Sequence, residues 1–419
     1  MSKFVVKGKI PLKGVVTVSG SKNAALPIIC AALLSKEKSV LTNMPDIADI
    51  HSMIKIIESL GVKAKFENNT LEIDPKDLKN NEVPEELVKK MRASILIMGP
   101  LLARLGQVKI AFPGGCVLGK RSVDTHTSAL VDLGVKVLED KTGLHLKVKK
   151  LKGKKVILKE LSVTATENAV MLAALTPGKT EIRLAATEPH VQDLCNYLKR
   201  MGAKIVGVGT NNLKIIGVRF LKGCRHKITG DYLEAGTYAI YAVATKGDVL
   251  IKGINPNQLD SFLQKLSELG AKYKVLKNSI HILPRKTLKA IKNVRTGIYP
   301  GFPTDLQAPF AVLLTQARGI SKVFETLFEG RLNYLFELEK MGARVEILNP
   351  HQAIIIGPTK LKGIPISSCD IRAGAAMVVA ALIADGETEI SNINYIDRGY
   401  ENLNKKLKAL GADIERVDD

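Results

Sequence analysis

The stretch PGGCVLGKR at residues 113–121 combines residue types that could react with a substrate or bind an anion. Cys116 follows two glycines, and Lys120 and Arg121 come directly after a third. Nearby cations lower the pKa of a thiol, so Cys116 could be reactive. The glycine and lysine spacing also approaches that of a phosphate-binding P-loop, but a P-loop continues with Ser or Thr where Arg121 stands. A plain surface turn is the third interpretation.

One carboxylate and three arginines elsewhere could also do chemistry. Asp305 follows Thr304 in FPTDLQA, at the start of a predicted helix, where it is either a first-turn carboxylate or a general base. Arg331, Arg372 and Arg398 could each be one half of a surface ion pair. Residue type alone does not decide between these interpretations.

The remaining cysteines and the histidines indicate no metal or disulfide chemistry. The five cysteines are odd in number and contain no CxxC pair, which argues against a disulfide framework and a thiolate zinc site. The seven histidines include no HExxH. Cys30 and Cys195 fall within helical patterns, so we expect them to be buried as small apolar side chains. Cys224 and Cys369 are also predicted to be structural.

The charge balance points to an acidic partner of small size. The net charge is +21, but lysines are spread along the whole chain, and the one dense cluster is KVKKLKGKK at 147–155. No basic run is interleaved with the aromatic rings that stack on bases, so we expect no nucleic acid. The apolar run ALPIICAALL at 25–34 is too short to span a membrane and has no cleavage site after it. A cytoplasmic protein without membrane insertion is expected.

A repeat of about 70 residues positions all of these side chains. The 419 residues predict two domains. Short LGA, LGV or MGA turns recur every 68 to 73 residues. Their glycines are Gly61, Gly134, Gly202, Gly270, Gly342 and Gly411. Each of the six copies predicts an apolar helix, an alternating strand, a second amphipathic helix that ends at this glycine, and two short strands. A solenoid or two domains of three copies each would fit this pattern.

Equivalent positions of the repeat carry different polar residues, as expected for chemistry rather than scaffold. One set lies in the loop between the first strand and the second helix: Cys116, Arg121, Glu188, Arg331 and Arg398. The other set lies at the start of the first helix: Lys22, Arg92, Asp305 and Arg372. Helix N-termini with basic side chains favour anions. If the two triplets of copies face each other, these residues meet in one cleft.

Five segments together resemble the UDP-N-acetylglucosamine 1-carboxyvinyltransferase family. They are SGSKNAALPI, MRASILIMGPLLAR, PGGCVLGKRSVD, FPTDLQA and IDRGYE, and the likeness runs over the whole chain. The resemblance implies an α/β inverse barrel, with two globular domains of three βαβαββ-type units each. The implied domains are 22–229, and 1–21 with 230–419, with the active site in the cleft between them.

The resemblance also implies a reaction. The enolpyruvyl group of phosphoenolpyruvate passes to the 3′-hydroxyl of UDP-N-acetylglucosamine, phosphate is released, and peptidoglycan synthesis begins. No cofactor or metal is implied, and the protein would be a monomer or weak homo-oligomer. Cys116 would protonate the methylene carbon, form a thiol adduct with phosphoenolpyruvate and be the target of fosfomycin, on a loop that acts as a lid. Asp305 would orient and deprotonate the sugar hydroxyl.

Other residues receive roles only through this resemblance. Lys22 and Arg398 are implied to be catalytic as well as substrate-binding. The implied phosphoenolpyruvate-binding residues are Lys22, Asn23, Arg121, Arg331 and Arg398. The implied UDP-N-acetylglucosamine-binding residues are Asn23, Arg92, Arg121, Ser122, Val123, Asp124, Thr125, Ser162, Val163, Thr164, Asp305 and Leu327. The supporting residues are Glu188, Asp231 and Arg372.

Three positions depart from the usual pattern of the family, and two rival functions remain open. Ser122 stands where the family usually has Pro, Thr164 where it usually has Gly, and Gly330 where it usually has Asn. One rival is 5-enolpyruvylshikimate-3-phosphate synthase, which is similar in fold and reaction. The other is a regulatory relative that binds the nucleotide sugar without turnover. The expected links to cell-wall growth, cell shape and cell division follow from the resemblance alone.

Overall fold

The computed structural model describes residues 2–114 and 122–418. They divide into two compact units, each with its own hydrophobic core. The first unit comprises residues 20–114 and 122–229, and the second comprises residues 2–19 and 230–418. The chain passes between the units after Ser19 and again after Thr229.

The repeat glycines end the second helix of every copy, as predicted. All six have a positive φ, between 82° and 108°. Their N–H groups donate to the carbonyl three residues earlier, as from Gly202 to Lys199 at 3.1 Å. After five of them, all but Gly134, the next residue donates to the carbonyl five residues earlier, as from Ala203 to Leu198 at 2.9 Å. This is the hydrogen-bond pattern of a Schellman motif, and it favours glycine because a Cβ disfavours the left-handed conformation.

The first two strands belong to the second unit, and the elements that follow them build the first unit. The opening strands are β1 Lys3–Lys7 and β2 Lys13–Thr17. The helices of the first unit are α1 Lys22–Ala32, α2 Ala48–Ser59, α3 Glu85–Lys90, a 3-10 helix Arg92–Ile97, α4 Met98–Leu105, α5 Asp124–Asp132, α6 Val163–Leu175 and α7 Pro189–Arg200. Its strands are β3 Ser39–Thr42, β4 Lys63–Glu67, β5 Thr70–Asp74, β6 Gln107–Ala111, β7 Val135–Glu139, β8 Gly143–Val148, β9 Lys155–Ile157, β10 Lys179–Arg183, β11 Lys204–Val206, β12 Asn212–Ile216 and β13 Arg225–Lys227.

The rest of the chain completes the second unit. Its helices are α8 Tyr232–Ala244, a 3-10 helix Pro256–Leu259, α9 Asp260–Glu268, α10 Thr304–Leu314, a 3-10 helix Glu329–Leu332, α11 Tyr334–Lys340, α12 Ile371–Ile383, α13 Asn394–Asp397 and α14 Leu403–Ala409. Its further strands are β14 Asp248–Lys252, β15 Lys272–Leu276, β16 Ser279–Leu283, β17 Leu288–Lys289, β18 Val294–Arg295, β19 Ala317–Phe324, β20 Arg344–Asn349, β21 Gln352–Gly357, β22 Ile366–Ser367, β23 Glu387–Ser391 and β24 Asp413–Val417.

Each repeat forms one sheet. Over the described residues the strand orders are β13-β3-β5-β4, β6-β8-β7 and β11-β12-β10-β9 in the first unit, and β15-β16-β14-β2, β17-β19-β21-β20 and β22-β23-β1-β24 in the second. In most copies a parallel strand precedes the first helix, as β9 precedes α6 and pairs with β10. The leading strand of the implied βαβαββ unit is therefore present. Strands β1 and β2 join sheets of the second unit, which is why that unit includes the first residues described.

Helices lie inside and sheets outside in each unit. Every residue of α8 is buried, and α8, α10 and α12 pack against one another. These helices are apolar on all sides, as buried helices are. The strands alternate between buried and exposed residues, as in β21, because one sheet face covers the helices. The α/β fold with helices enclosed by sheets is confirmed, whereas the sheets formed by residues 2–114 and 122–418 remain separate and do not close into a strand barrel.

Within those same residues, no helix combines the length and the apolar character needed to cross a membrane.

The repeat glycines allow a test that separates backbone strain from steric overlap. A Cβ at Gly202 would meet no atom within 4 Å, whereas a Cβ at Gly134 would overlap the carbonyl oxygen of Lys150. We expect Gly202→Ala to lower the free energy of unfolding by about 1 kcal/mol, from left-handed strain alone. Gly134→Ala should cost clearly more, because the 150 carbonyl must also move. Denaturant unfolding measures both; equal losses would show that the turn at Gly134 relaxes without cost.

Candidate active site

The N-termini of the three central helices of the second unit each carry an aspartate. Asp231 caps α8 and accepts from the Leu233 N–H at 2.8 Å. Asp370 caps α12 in the same way, accepting from the Arg372 N–H at 2.7 Å. Asp305 lies in the first turn of α10. A helix N-terminus favours negative charge, so three packed helices create a region that stabilises carboxylates.

Asp305 is held between two buried guanidinium groups. Its Oδ1 accepts from Arg331 Nη1 at 2.7 Å, and its Oδ2 accepts from Arg372 Nη2 at 3.0 Å. The side chains of Arg331 and Arg372 are only 6% and 7% exposed, against 24% for Asp305. Arg331 also donates to the Thr304 hydroxyl at 3.0 Å. The structure therefore joins three residues that the sequence analysis had placed in two different repeat positions.

The two arginines set the charge state of Asp305. Burial raises the pKa of the carboxyl, but Arg372 and Arg331 outweigh it and hold the pKa well below its ordinary value. In turn, burial lowers the pKa of Arg372, and Asp305 reverses this and raises it. Asp305 is thus a carboxylate with an exposed edge throughout the neutral pH range, suited to accept a hydrogen bond from a bound hydroxyl.

A tyrosine connects this ion pair to the segment that carries Arg398. Arg372 Nη1 donates to the Tyr400 hydroxyl at 3.0 Å, and its guanidinium lies 5.4 Å from the centre of the Tyr400 ring. The same hydroxyl lies 3.1 Å from the Thr237 hydroxyl of α8. Arg398 ends α13, two residues before Tyr400. Residues of α8, α10, α12 and the 398–400 segment therefore belong to one hydrogen-bonded cluster.

Glu325, which the sequence analysis did not single out, fixes the loop that carries Leu327. It is fully buried at the end of β19. One carboxylate oxygen accepts from the Thr304 hydroxyl at 2.8 Å, and the other accepts from the Leu327 N–H at 2.9 Å. Leu327 itself is 38% exposed beside this cluster. Glu325 therefore ties the Leu327 loop to the start of α10.

In the first unit, Lys22 forms a buried ion pair. Lys22 begins α1, and its Nζ lies 2.7 Å from Asp49 Oδ2, with side-chain exposures of 12% and 5%. Asp49 lies in the first turn of α2, where the helix dipole also stabilises it. Asn23 is the next residue of α1. Asp49 was part of a repeat loop in the sequence, but no pattern there indicated its pairing with Lys22.

A second group of the first unit surrounds Arg92. Arg92 begins the 3-10 helix, and its Nη2 donates to the Ser122 carbonyl at 3.2 Å. His126 Nε2 lies 2.9 Å from the Thr164 hydroxyl. Burial and the nearby Arg92 lower the pKa of His126 to about 4, so this ring is neutral at pH 7. The structure thus brings Arg92, Ser122 and Thr164 into one neighbourhood and adds His126, which the sequence analysis missed.

The other predicted nucleotide-binding residues lie at the starts of α5 and α6. Ser122 Oγ accepts from the Asp124 N–H at 2.9 Å, beside Val123, and so supports the first turn of α5. The Thr125 hydroxyl donates to Glu160 Oε1 at 3.1 Å. The Ser162 carbonyl accepts from the Thr166 hydroxyl at 2.7 Å, and Val163 is the first residue of α6. A helix N-terminus favours an anion through its backbone N–H groups and its dipole, so these two helix starts suit a negatively charged ligand.

Comparisons with known proteins decide the family. The family model for EPSP synthase (3-phosphoshikimate 1-carboxyvinyltransferase) matches residues 6–407. The UDP-N-acetylglucosamine 1-carboxyvinyltransferase of Halothermothrix orenii is 46% identical over 417 residues, which covers 100% of both chains. A relative from Caldanaerobacter subterraneus, UDP-N-acetylglucosamine 1-carboxyvinyltransferase 1, is 44% identical and covers 99% of both. The chain belongs to the UDP-N-acetylglucosamine 1-carboxyvinyltransferase family. It is a transferase, as the sequence motifs predicted.

Solved structures agree in fold. The enolpyruvyl transferase NikO from Streptomyces tendae has a TM-score of 0.89 at 23% identity and covers 99% of both chains. EPSP synthase from Acinetobacter baumannii has a TM-score of 0.77 at 18% identity and covers 100% of both. At these identities the likeness shows the enolpyruvyl transferase fold and nothing finer.

The described part of this enolpyruvyl transferase does not include every predicted site residue. Cys116 and Arg121 lie outside the described residues. Glu188 lies directly before α7. Burial, and after it the nearby Glu188, raise the pKa of Glu167 in α6, so two carboxyl groups lie near each other there. The sequence analysis named Glu188 as a supporting residue and did not name Glu167.

The four described cysteines have structural positions. Cys30 and Cys195 are buried, as predicted, and burial raises the pKa of both thiols, that of Cys195 to about 12. Burial and the nearby Asp370 raise the pKa of the half-buried Cys369 to about 11. Cys224 is half-buried, with a thiol pKa raised by burial. Because thiols react as thiolates, these four are poor nucleophiles. In the described ranges, no group of His, Cys, Asp and Glu side chains could hold a metal ion.

Replacing Asp305 by Asn tests the ion cluster through stability. The variant leaves two buried guanidinium groups without their anion, so we expect it to lower the free energy of unfolding at pH 7 by about 3 kcal/mol. A lowered folded-state pKa gives stability that is fully present above the unfolded value, about 3.9, and is lost only below it. The loss should therefore be the same at pH 8, 6 and 5.

Urea unfolding measures this difference, with Asp413→Asn at an exposed position of β24 as the control. A loss that shrinks between pH 8 and pH 5 would show instead that Asp305 takes up a proton in that range.

Proposed function

We propose that this protein transfers the enolpyruvyl group of phosphoenolpyruvate to the 3′-hydroxyl of UDP-N-acetylglucosamine and releases phosphate. The observation that carries the proposal is the Asp305 carboxylate, partly exposed and held by Arg331 and Arg372 at the N-terminal ends of the central helices. Full-length relatives at 44% and 46% identity bear the name of this activity. The site therefore offers an acceptor for a sugar hydroxyl beside cations for an anionic partner.

The reaction is an addition followed by an elimination. The 3′-oxygen of the sugar forms a bond to C2 of phosphoenolpyruvate, its proton leaves towards Asp305, and C3 gains a proton from the thiol of Cys116. The tetrahedral intermediate then loses phosphate from C2 and a proton from C3, which restores the double bond. Proton transfer at C3 and at the 3′-oxygen is the work of the protein, and no oxidation or reduction occurs.

Beside the two arginines, Asp305 is better suited to orient the sugar hydroxyl by a hydrogen bond than to accept the proton of that hydroxyl. A carboxylate whose pKa lies well below its ordinary value is a weak base. If the carboxylate or phosphate of phosphoenolpyruvate draws Arg331 away from Asp305, the pKa of Asp305 rises as the substrate binds. In this proposal the base is strengthened only when the second substrate is present.

The cations of both units divide the two substrates between them. We assign phosphoenolpyruvate to Lys22, Asn23, Arg121, Arg331 and Arg398. We assign nucleotide binding to Arg92 and to the helix starts at 122–125 and 162–164. In these helix starts, Ser122 hydrogen-bonds to the Asp124 N–H and Thr164 to His126. Because Lys22 and Arg398 lie in different units, turnover requires residues of both. We propose 22–229, and 1–21 with 230–419, as the functional domains.

The cellular role follows from the substrates. Enolpyruvyl transfer to this nucleotide sugar would commit it to peptidoglycan synthesis and so to cell-wall growth, shape and division. Both proposed substrates are water-soluble, multiply charged metabolites, which favours a cytoplasmic enzyme without membrane insertion. A monomer or weak homo-oligomer remains our expectation for the assembly.

Phosphate release from phosphoenolpyruvate tests the substrate assignment. The purified protein is supplied with UDP-N-acetylglucosamine, with shikimate 3-phosphate, or with neither. We expect release only with the nucleotide sugar. Release only with shikimate 3-phosphate would move the protein to the activity named by the matching family model. A folded protein that binds the nucleotide sugar and releases phosphate with neither acceptor would favour the regulatory alternative.

Substitution of Cys116 tests the proton donor. Cys116→Ser should lower turnover by about 100-fold or more, because a serine hydroxyl is a far poorer proton donor near neutral pH than a thiol matched to it. The same variant should no longer be alkylated by fosfomycin, and UDP-N-acetylglucosamine should speed that alkylation in the unmodified protein. Mass spectrometry and phosphate release provide the two measurements.

Cys369→Ser is the matched control, since its thiol is half-buried and has a raised pKa. It should retain both turnover and fosfomycin sensitivity. Continued inhibition of Cys116→Ser by fosfomycin would refute the assignment of Cys116.

A further inference from the structure

The segment 397–401 is fastened on both sides of Arg398. Before it, both carboxylate oxygens of Asp397 accept from Arg416, each at 3.0 Å. After it, the Tyr400 hydroxyl accepts from Arg372 at 3.0 Å. A Cβ at Gly399 would overlap Ile371 in the first turn of α12, so the backbone here packs closely against that helix. The backbone on both sides of Arg398 is therefore held by the contacts of its neighbours.

Glu401, the last residue of this segment, belongs to a hydrogen-bond network that also includes Ser19, near the start of the chain. The Ser19 hydroxyl donates to Glu401 Oε2 and accepts from Lys406 Nζ at 2.7 Å. A hydroxyl has one proton and two lone pairs, so both bonds form together. Ser19 is 382 residues away from Glu401 in sequence and is the last residue of its unit before the chain passes to Gly20.

The buried carboxylate of Glu234 holds two members of the same network. Glu234, in the first turn of α8, accepts from the Ser19 backbone N–H at 2.7 Å and from Lys406 Nζ at 2.7 Å. Its side chain is 4% exposed, and that of Lys406 is 20% exposed. Glu234 thus holds the backbone of Ser19, and Lys406 bridges Glu234 to the Ser19 hydroxyl.

The buried ion pair of Glu234 and Lys406 is not expected to add much to the stability of the folded protein. Burial raises the pKa of Glu234, and Lys406 only partly opposes this. A buried ion pair of this kind is often no more stable than an apolar pair of the same volume, but it fixes one geometry. The geometry fixed here is that of Ser19 and, through its hydroxyl, of Glu401.

We propose that Glu234 and Lys406 are positioning residues that act through Ser19 and Glu401 to hold Arg398 in the orientation that binds phosphoenolpyruvate. The inference rests on the proposed function, in which Arg398 binds an anionic group of that substrate. None of the four residues of the network needs to contact a substrate. Their effect should therefore appear in the affinity for one substrate and not for the other.

Ser19→Ala is the mildest test, because it removes the hydroxyl and keeps the backbone N–H bond to Glu234. Its KM for phosphoenolpyruvate should rise about tenfold, the effect of losing a hydrogen bond to a charged group, whereas its KM for UDP-N-acetylglucosamine should change less than about twofold. The double variant Glu234→Gln/Lys406→Met, which removes both charges at similar volume, should show a larger change in the same direction.

Two further variants separate positioning from general loosening. Ser19→Thr keeps a hydroxyl and should restore most of the affinity for phosphoenolpyruvate. Lys408→Met, at an exposed position of α14, is the matched control and should leave both KM values unchanged. Thermal denaturation shows that each variant is folded.

The outcomes distinguish this inference from the proposed function. An unchanged KM for phosphoenolpyruvate in folded Ser19→Ala and in the double variant, or an equal rise of both KM values, would overturn the positioning role and leave the activity standing. Wild-type protein that releases no phosphate with UDP-N-acetylglucosamine would overturn the proposed function, and the inference with it.

Discussion

The site of the second unit depends on one balance of charge, in which the Asp305 carboxylate lies between the guanidinium groups of Arg331 and Arg372. Two buried cations need an anion, and the N-termini of three packed helices supply a field that keeps it ionised. The neighbours follow from this arrangement. The Tyr400 hydroxyl accepts a hydrogen bond from Arg372 Nη1, and the Thr304 hydroxyl accepts one from Arg331 Nη1. The first turns of these helices must then pack together in the interior, where the surrounding sheets bury them.

Much of the fold could be predicted because a repeated local constraint is written into the sequence. The six LGA-type glycines are required by the left-handed ends of six helices, and this requirement depends on neighbouring residues only. Amphipathic periodicity then indicates which helix is central and which is peripheral. From their repeat positions, Asp305, Arg331 and Arg372 were expected to meet in one cleft if the two triplets of copies face each other, and the structure joins these three side chains by hydrogen bonds. The pairing of β1 and β2 with sheets of the second unit was beyond such reasoning, because it joins the chain start to strands more than 230 residues later.

The residues that sequence reasoning missed are those whose role is a long-range contact. Glu325 ends an ordinary alternating strand, and nothing nearby in sequence indicates that it holds both Thr304 and the Leu327 loop. Asp49 and His126 have the same character, since their partners are Lys22 and Thr164. An aspartate such as Asp49 is common at a helix start for capping reasons alone, and a histidine within a helix indicates no partner. The sequence identifies polar residues that vary between the repeats. The residues that position them are identified only by their contacts in the folded structure.

The buried ion pairs of this protein fix the geometry of charged side chains more than they add stability. Lys22–Asp49, Asp305 with its two arginines, and Glu234–Lys406 each neutralise a cation or carboxylate that an apolar core would exclude. Such pairs cost desolvation and return little stability, but each holds a charged group in one orientation without a substrate. Under the proposed function, an incoming carboxylate or phosphate could replace the protein carboxylate at Lys22 or at Arg331, whereas Glu234 and Lys406 act without contacting a substrate. Because that exchange keeps the number of ion pairs constant, an anionic substrate could enter without stranding a buried charge, and the carboxylate it displaces would become the stronger base.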